Sequence, residues 1–193
     1  MFDFRTYRKF VHLRTGKRVM LRFLNEQDRE HLLQLFRNAP EEDVRFSKQD
    51  VKNVELVNQW IDHLDYDRVL PLMAVDRDAD CFIAEATLHR GKHTAKHIGE
   101  IRIFVSRAYR GLGLGGLMLD ELISLAGKLD FQILRAEVIL DHKAVLKAFG
   151  SKGFEIKCTL DDYFLCSDGV AYDVVLLVRR LLKKEDLEVE AES

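Results

Sequence analysis

Val105-Ser-Arg-Ala-Tyr-Arg110-Gly-Leu-Gly-Leu-Gly-Gly116 is the stretch on which the reading of this chain turns. It holds four of the chain's eleven glycines. The run before it, Ile98–Val105, is apolar and β-branched. After it, Leu119, Leu122, Ile123, Ala126 and Leu129 recur at helical spacing. The glycines therefore fall between a strand and a helix N-terminus. Glycine accepts positive φ and lets a ligand approach the main chain. Free N–H groups at a helix start, at the positive end of its dipole, bind phosphate. The loop is read as a cradle for an anion, a pyrophosphate by its glycine content, rather than as a plain turn.

Upstream, Val11–Leu13 and Val19–Phe23 flank a turn at Thr15-Gly16-Lys17 and read as a hairpin. Asn25 or Asp28 can cap a first helix with Leu32, Leu33, Leu35 and Phe36 on its apolar face, ended by Pro40. A second helix is expected over about Val54–Leu64. Val69–Val75, Phe82–Arg90 and Ile98–Val105 complete an antiparallel meander, with a polar loop at Gly91–Ala95. Downstream come a strand at Leu134–Leu140, a short helix over Ala144–Phe149 ending near Gly153, and strands at Phe154–Cys158, Tyr163–Cys166 and Val174–Arg180. The sum is a mixed α/β (α+β) fold.

The 193 residues suit one well-cored domain, placed at residues 1–182. The tail 183–193 carries five acidic residues against two lysines and is expected to be solvated and flexible. The net charge of −2 gives no basic surface for nucleic acid. No apolar run has membrane-spanning length, and the N-terminus lacks the apolar core of a signal peptide. Cys81, Cys158 and Cys166 are odd in number and lack metal spacing, so they read as reduced thiols of a cytoplasmic protein. His89, His93 and His97 recur every four residues, but Gly91 breaks any helix that would align them, and no metal site is expected.

Three phosphate-loop classes compete for residues 110–116. A Walker loop fails because no Lys-Ser or Lys-Thr follows the glycines. Gly111, Gly113 and Gly116 match G-x-G-x-x-G, and Glu137 or Asp141 could be the acidic partner. That fold needs repeated βαβ units, whereas a meander precedes this loop. Arg110-Gly-Leu-Gly113-Leu-Gly115 instead resembles the R/Q-x-x-G-x-G/A loop of the GNAT acetyltransferase superfamily. Ile103-Phe-Val105 is similar to the V-x-V strand end before that loop. Leu146-Lys-Ala-Phe149-Gly-Ser-Lys-Gly153-Phe154 resembles its later helix with a Gly-Phe pair.

A closer likeness spans roughly residues 11–182. Leu13-Arg-Thr-Gly16, Val19-Met-Leu-Arg22-Phe, Asn25-Glu-Gln-Asp28, Leu64-Asp65-Tyr66-Asp67-Arg68 and Met73-Ala-Val75 resemble the acetyltransferase domain of Pat-type protein lysine acetyltransferases. There the domain often comes fused to a regulatory or synthetase-like domain, for which this chain has no room.

The resemblance implies a mostly antiparallel central sheet, flanked by helices and splayed where acetyl-CoA binds. It implies acetyl-CoA contacts at Ile103, Phe104, Val105, Arg110, Gly111, Leu112, Gly113, Leu114, Gly115, Gly116, His142 and Phe149. The activity implied is acetyl transfer to an amine, a protein lysine by the Pat-type likeness, with a small-molecule amine or a silent acyl-CoA sensor as alternatives. An amine attacks a thioester only as the free base, so a carboxylate or histidine must accept a proton. Glu100 matches the glutamate of the Pat-type E-x-x-x-x-V motif and is the expected general base. Otherwise it is an exposed strand glutamate or the partner of a neighbour such as Arg102. His97 is expected to assist it or to stay at the sheet edge. His142 replaces an asparagine that many members use on the pantetheine arm, and can contact CoA or cap its helix. Phe149 replaces a tyrosine that protonates the CoA thiolate, leaving water or another group such as Tyr163 for that task, or a thiolate that departs unassisted. No Cys-His or Ser-His-Asp set is visible, so transfer is expected to be direct.

Overall fold

The computed structural model describes residues 2–181; the tail assigned to 183–193, and Leu182, lie outside the described residues. Eight strands form one sheet: β1 (Lys9–His12), β2 (Arg18–Phe23), β3 (Val69–Asp76), β4 (Cys81–Arg90), β5 (Ile98–Val105), β6 (Ile133–Ile139), β7 (Glu155–Leu165) and β8 (Ala171–Arg180). Their order is β1-β2-β3-β4-β5-β6-β8-β7. Every pairing is antiparallel except β5 with β6. The helices are α1 (Arg29–Arg37), α2 (Glu41–Val44), α3 (Val54–Asp62), α4 (Leu114–Lys128) and α5 (Lys143–Gly150). None of them is long and apolar enough to cross a membrane.

The sheet is apolar on both faces, and period-2 alternation sorts each strand. Leu70, Leu72, Ala74, Ala86, Leu88 and Ile101 pack with Leu114, Met118, Leu119, Leu122 and Leu125 of α4. Met73, Val75 and Phe82 pack with Leu32, Leu33, Phe36, Val57 and Ile61 of α1 and α3. Apart from the two alanines, each of these side chains, fully buried, contributes roughly 1.5–3 kcal/mol. Burial on both faces explains why β3 reads as a continuous apolar run.

The termini of the helices follow local chemistry. The Asn25 side chain accepts from Gln27 N, while Asp28 accepts from Asn25 N, a reciprocal cap that starts the turn leading into α1. α4 closes with Asp130 at φ 59, and Phe131 N–H reaches back to Ala126 O at 3.1 Å. Two expectations are corrected. Pro40 does not end α1, which stops at Arg37; it precedes α2, with its ring-fixed φ of −57° suited to a helix start. The two strands expected at Phe154–Cys158 and Tyr163–Cys166 are one strand, β7. Its pairing with β8 is interrupted between Leu160 and Phe164, where Asp162 has φ 52 and its N–H bonds to Asp173.

One feature of the sheet positions the site. β5 pairs with β6 only at Ile98–Ile133, Gly99–Leu134 and Glu100–Arg135. Beyond Glu100, β5 stays with β4 as far as Val105, while β6 stays with β8 as far as Ile139. The sheet therefore opens from Glu100 towards the glycine loop.

Candidate active site

The glycine loop closes the open end of β5. Gly111 and Gly113 have φ of 73° and 89°, a region that side-chain-bearing residues rarely adopt. Gly113 is the N-cap of α4 and no side chain caps that end, so the first-turn amides have no intrahelical partner. The hairpin holds the loop from behind: Arg14 N–H donates to Leu112 O at 3.0 Å. Tyr109 Oη donates to Asp76 Oδ2 at 2.5 Å and anchors the turn before the glycines.

An anion already rests beside this loop. Asp43 of α2, with a side chain 6% exposed, accepts from Arg110 Nη1 at 2.9 Å and Arg107 Nη2 at 3.0 Å. The two guanidinium groups hold its carboxyl below the usual range, Arg107 contributing most. Free helix amides, positive-φ glycines and two arginines engaged by a carboxylate fit a pyrophosphate-bearing ligand. The unpaired edge of β5 offers main-chain groups to an extended arm running from it.

A cleft of about 620 Å³ lies on the α1–α3 face of the sheet, where β5 and β6 part. Alternation directs Glu85, Thr87 and His89 of β4, Glu100, Arg102 and Phe104 of β5, and Glu137 of β6 to this face. Glu100 is 7% exposed and carries three cations. Its Oε1 accepts from Lys48 Nζ at 2.8 Å and Arg102 Nε at 2.8 Å, and its Oε2 from Arg135 Nη2 at 2.7 Å. Burial alone would raise its pKa. The three charged hydrogen bonds overcome that and lower it to about 2. Glu137 Oε2 lies 2.8 Å from Lys48 Nζ in ion-pair contact, but at an angle that makes no hydrogen bond, so this buried oxygen still lacks a donor.

Two other titrating groups behave oppositely. Glu85 has no hydrogen-bond partner among the described residues; burial pushes its carboxyl up to about 7 against the opposing pull of Arg102. Burial pushes His89 down to about 4, Arg102 and Lys48 adding to the effect and Glu100 opposing it. His89 is therefore neutral near pH 7, with Nε2 and Thr87 Oγ1 sharing a hydrogen bond at 2.9 Å.

Of the residues expected at the site, Glu100, Ile103, Phe104, His142 and Phe149 line this cleft. Val105 and residues 110–116 lie at its open end, where the sheet meets α4. His142 makes no side-chain cap at α5; its ring meets Phe46 edge-on at 5.5 Å. Phe149 is 6% exposed and packs edge-on against Phe154 at 5.0 Å. Glu100 is not an exposed glutamate, and its bond to Arg102 is real. His97 does not line the cleft: its carbonyl receives the N–H groups of Gln132 and Ile133, and His89 is the histidine facing Glu100 across the strands. Tyr163 is half exposed on β7 and does not line the cleft. No tyrosine or cysteine does so among the described residues.

Residues 18–155 match the acetyltransferase (GNAT) domain family. The chain belongs to that family. GNAT acetyltransferases use acetyl-CoA as acyl donor, which agrees with the loop and the splayed strands. The GNAT domain of S. lividans PAT superposes with a TM-score of 0.74 at 22% identity, covering 90% of this chain and 97% of that one. The yncA structure of Salmonella typhimurium, described as solved with its cofactor acetyl-CoA, gives 0.73 at 16% identity over 86% and 95%. At these identities the likeness is one of fold. The Bacillus subtilis (strain 168) protein described as "Putative phosphinothricin acetyltransferase YwnH" is 31% identical over 91 residues. That match takes in 47% of this chain and about half, 55%, of the relative's length.

Lys48, Glu85 and Arg135 went unread in the sequence, and His89 and Glu137 were weighed there only for a metal site and a dinucleotide loop. Lys48 gave no signal at all. The strand residues left one: Glu85-Ala-Thr87-Leu-His89, Glu100-Ile-Arg102-Ile and Arg135-Ala-Glu137-Val alternate polar with apolar in three successive strands of a GNAT sheet whose two faces are otherwise apolar.

Proposed function

We propose that this GNAT domain moves the acetyl group of acetyl-CoA directly to a primary amine, a protein lysine in preference, with Glu100 receiving the amine's proton. One observation carries the reading: at the point where β5 and β6 part, Glu100 already holds an ammonium group, Lys48 Nζ, at 2.8 Å. The same carboxylate can hold an acceptor ammonium and take its proton as nitrogen attacks the thioester carbon. N–H groups on the free edge of β5 can polarise the thioester oxygen. The cleft lining supplies no thiol for an acyl-enzyme, which favours direct transfer, and no phenol for the departing thiolate, which leaves that proton to water.

A lysine-length arm reaches Glu100, as Lys48 shows, and this supports a lysine acceptor. The name of the Bacillus subtilis relative supports a second reading, a small-molecule amine. Initial rates of CoA release with a lysine-bearing protein, free lysine and a polyamine, compared as kcat/KM, separate the two. The lysine-bearing protein is expected to lead, and a clear lead for a small amine reverses the preference. For the proton acceptor, Glu85 is the rival, because a carboxyl at about 7 is better matched to accept a proton at neutral pH. Glu100 is preferred for its position: Glu85 pairs with Phe104, four residues along β5 and about 13 Å from Glu100 at strand rise.

A further inference from the structure

α2 and the segment that follows it enter the site from outside the sheet. Asp43 puts a carboxylate on Arg107 and Arg110 beside the glycine loop. Five residues on, Lys48 puts an ammonium between Glu100 and Glu137, 2.8 Å from an oxygen of each. Its side chain is 25% exposed, while the side chains of Lys9 and Lys157 are 51% and 49% exposed. Charge pairing alone would be satisfied by either glutamate. Instead the nitrogen lies at the mouth of the β5–β6 opening, and the buried Glu137 Oε2 beside it is left without a donor.

We propose that Lys48 is itself an acetyl acceptor, modified by the acetyl-CoA bound in the same molecule. The inference rests on the reading that the thioester lies where β5 leaves β6. The ammonium first gives one proton to Glu100. The neutral Nζ attacks the thioester carbon, the N–C bond forms and the C–S bond breaks. The nitrogen's second proton leaves through water, and the CoA thiolate takes up a proton from solvent. Lysine ammonium and acetyl-CoA thereby become acetyl-lysine, CoA thiol and one proton. The product is a neutral amide, so Glu100 and Glu137 lose the cation they share and stand open to an incoming amine.

The test is peptide mass spectrometry of the full chain after incubation with isotopically labelled acetyl-CoA alone. Label is expected at Lys48 ahead of the more exposed Lys9 and Lys157, approaching one acetyl group per chain. The first-order rate should not change when the protein is diluted. Glu100→Gln should slow labelling of Lys48 by about 10²-fold or more, with Lys157 unaffected. Lys48→Arg keeps the positive charge, and its total label should fall to the level of the exposed lysines. Labelling of Lys48 no faster than Lys157, or a rate that rises with protein concentration, overturns the proposal. If acetyl-CoA binds and an added amine is acetylated while Lys48 stays unmodified, the inference fails and the proposed function stands. If acetyl-CoA does not bind, both fail.

Discussion

Replacing Glu100 by glutamine removes one charge from a site built around it. In the wild type the carboxyl stands at about 2 against an ordinary 4.5. At about 1.4 kcal/mol per pKa unit the shift is worth on the order of 3 kcal/mol. Arg102 and Arg135 are 35% and 46% exposed, and water screens their share, which brings the figure to about 2 kcal/mol. For a chain of this size that is a fall in melting temperature of about 4–8 °C. The sign follows from linkage: a folded-state value below the unfolded one gives stability that is present above pH 4.5 and lost as pH falls towards 2. The wild type should therefore lose this contribution in acid, and Glu100→Gln should lack it throughout.

Turnover tests the same residue differently. A general base contributes about 10²–10⁴-fold, and a carboxylate held at about 2 is a weak acceptor, so the expected loss lies near 10². It should appear in kcat and kcat/KM together, as for a group acting mainly in the transition state. It should shrink at high pH, where the amine is already free base. The assay is CoA release at fixed pH, with acetyl-CoA affinity measured in parallel and expected to be unchanged. Arg102→Gln is no control, because Arg102 donates to Glu100 at 2.8 Å. Glu30→Gln, on the exposed side of α1, serves instead. Near-wild-type turnover by Glu100→Gln would refute the role assigned to the carboxylate.

Glu85→Gln should remove an acid limb near pH 7 from the kcat/KM profile if Glu85 takes part in proton transfer, and leave the profile unchanged if Glu100 acts alone. Its folded value lies above the unfolded one, so Glu85 lowers stability as pH rises from 4.5 to 7. The variant should be more stable at pH 8 by on the order of 3 kcal/mol, read by urea unfolding. Acetyl-CoA at a hundred times its Kd should stabilise the wild type by about 2.7 kcal/mol in a thermal scan, and NADH should not. Gly113→Val should abolish that shift, since valine resists the φ of 89° at the N-cap of α4. Mass spectrometry after mixing with acetyl-CoA alone should find Cys81, Cys158 and Cys166 unmodified; an acetyl-cysteine that chases into product would overturn direct transfer.

The parts of the structure legible in the sequence were those with local causes. Ile98–Val105 is a strand to the residue, because turn chemistry bounds it on both sides. The glycines at 111 and 113 hold the backbone that only glycine adopts freely, and α4 begins immediately after them. Asn25 and Asp28 announce the turn into α1 through their reciprocal cap. The site's electrostatics were not legible in the same way. Glu100 could be picked out by its place before Val105, but not the three cations that quench it. Those come from a loop, from two residues along β5 and from β6, and they meet only through sheet register. In the sequence His97 reads as a helper of Glu100 and His89 only as a possible metal ligand, yet antiparallel pairing sets His89 opposite Glu100. The strands read at Phe154–Cys158 and Tyr163–Cys166 are one, because pairing with β8 lapses after Leu160 and resumes at Phe164, a long-range contact that local sequence does not announce.

The central claim is that acetyl-CoA lies along the free edge of β5, with its phosphates on α4 and its thioester beside Glu100. Amide hydrogen exchange with and without saturating acetyl-CoA tests it residue by residue. Exchange should slow at Ile101–Val105 and at Leu114–Gly116, while the already paired β1–β2 hairpin is unaffected. Unchanged exchange at both segments, in a protein that the same acetyl-CoA stabilises against heat, would place the ligand elsewhere and contradict the account.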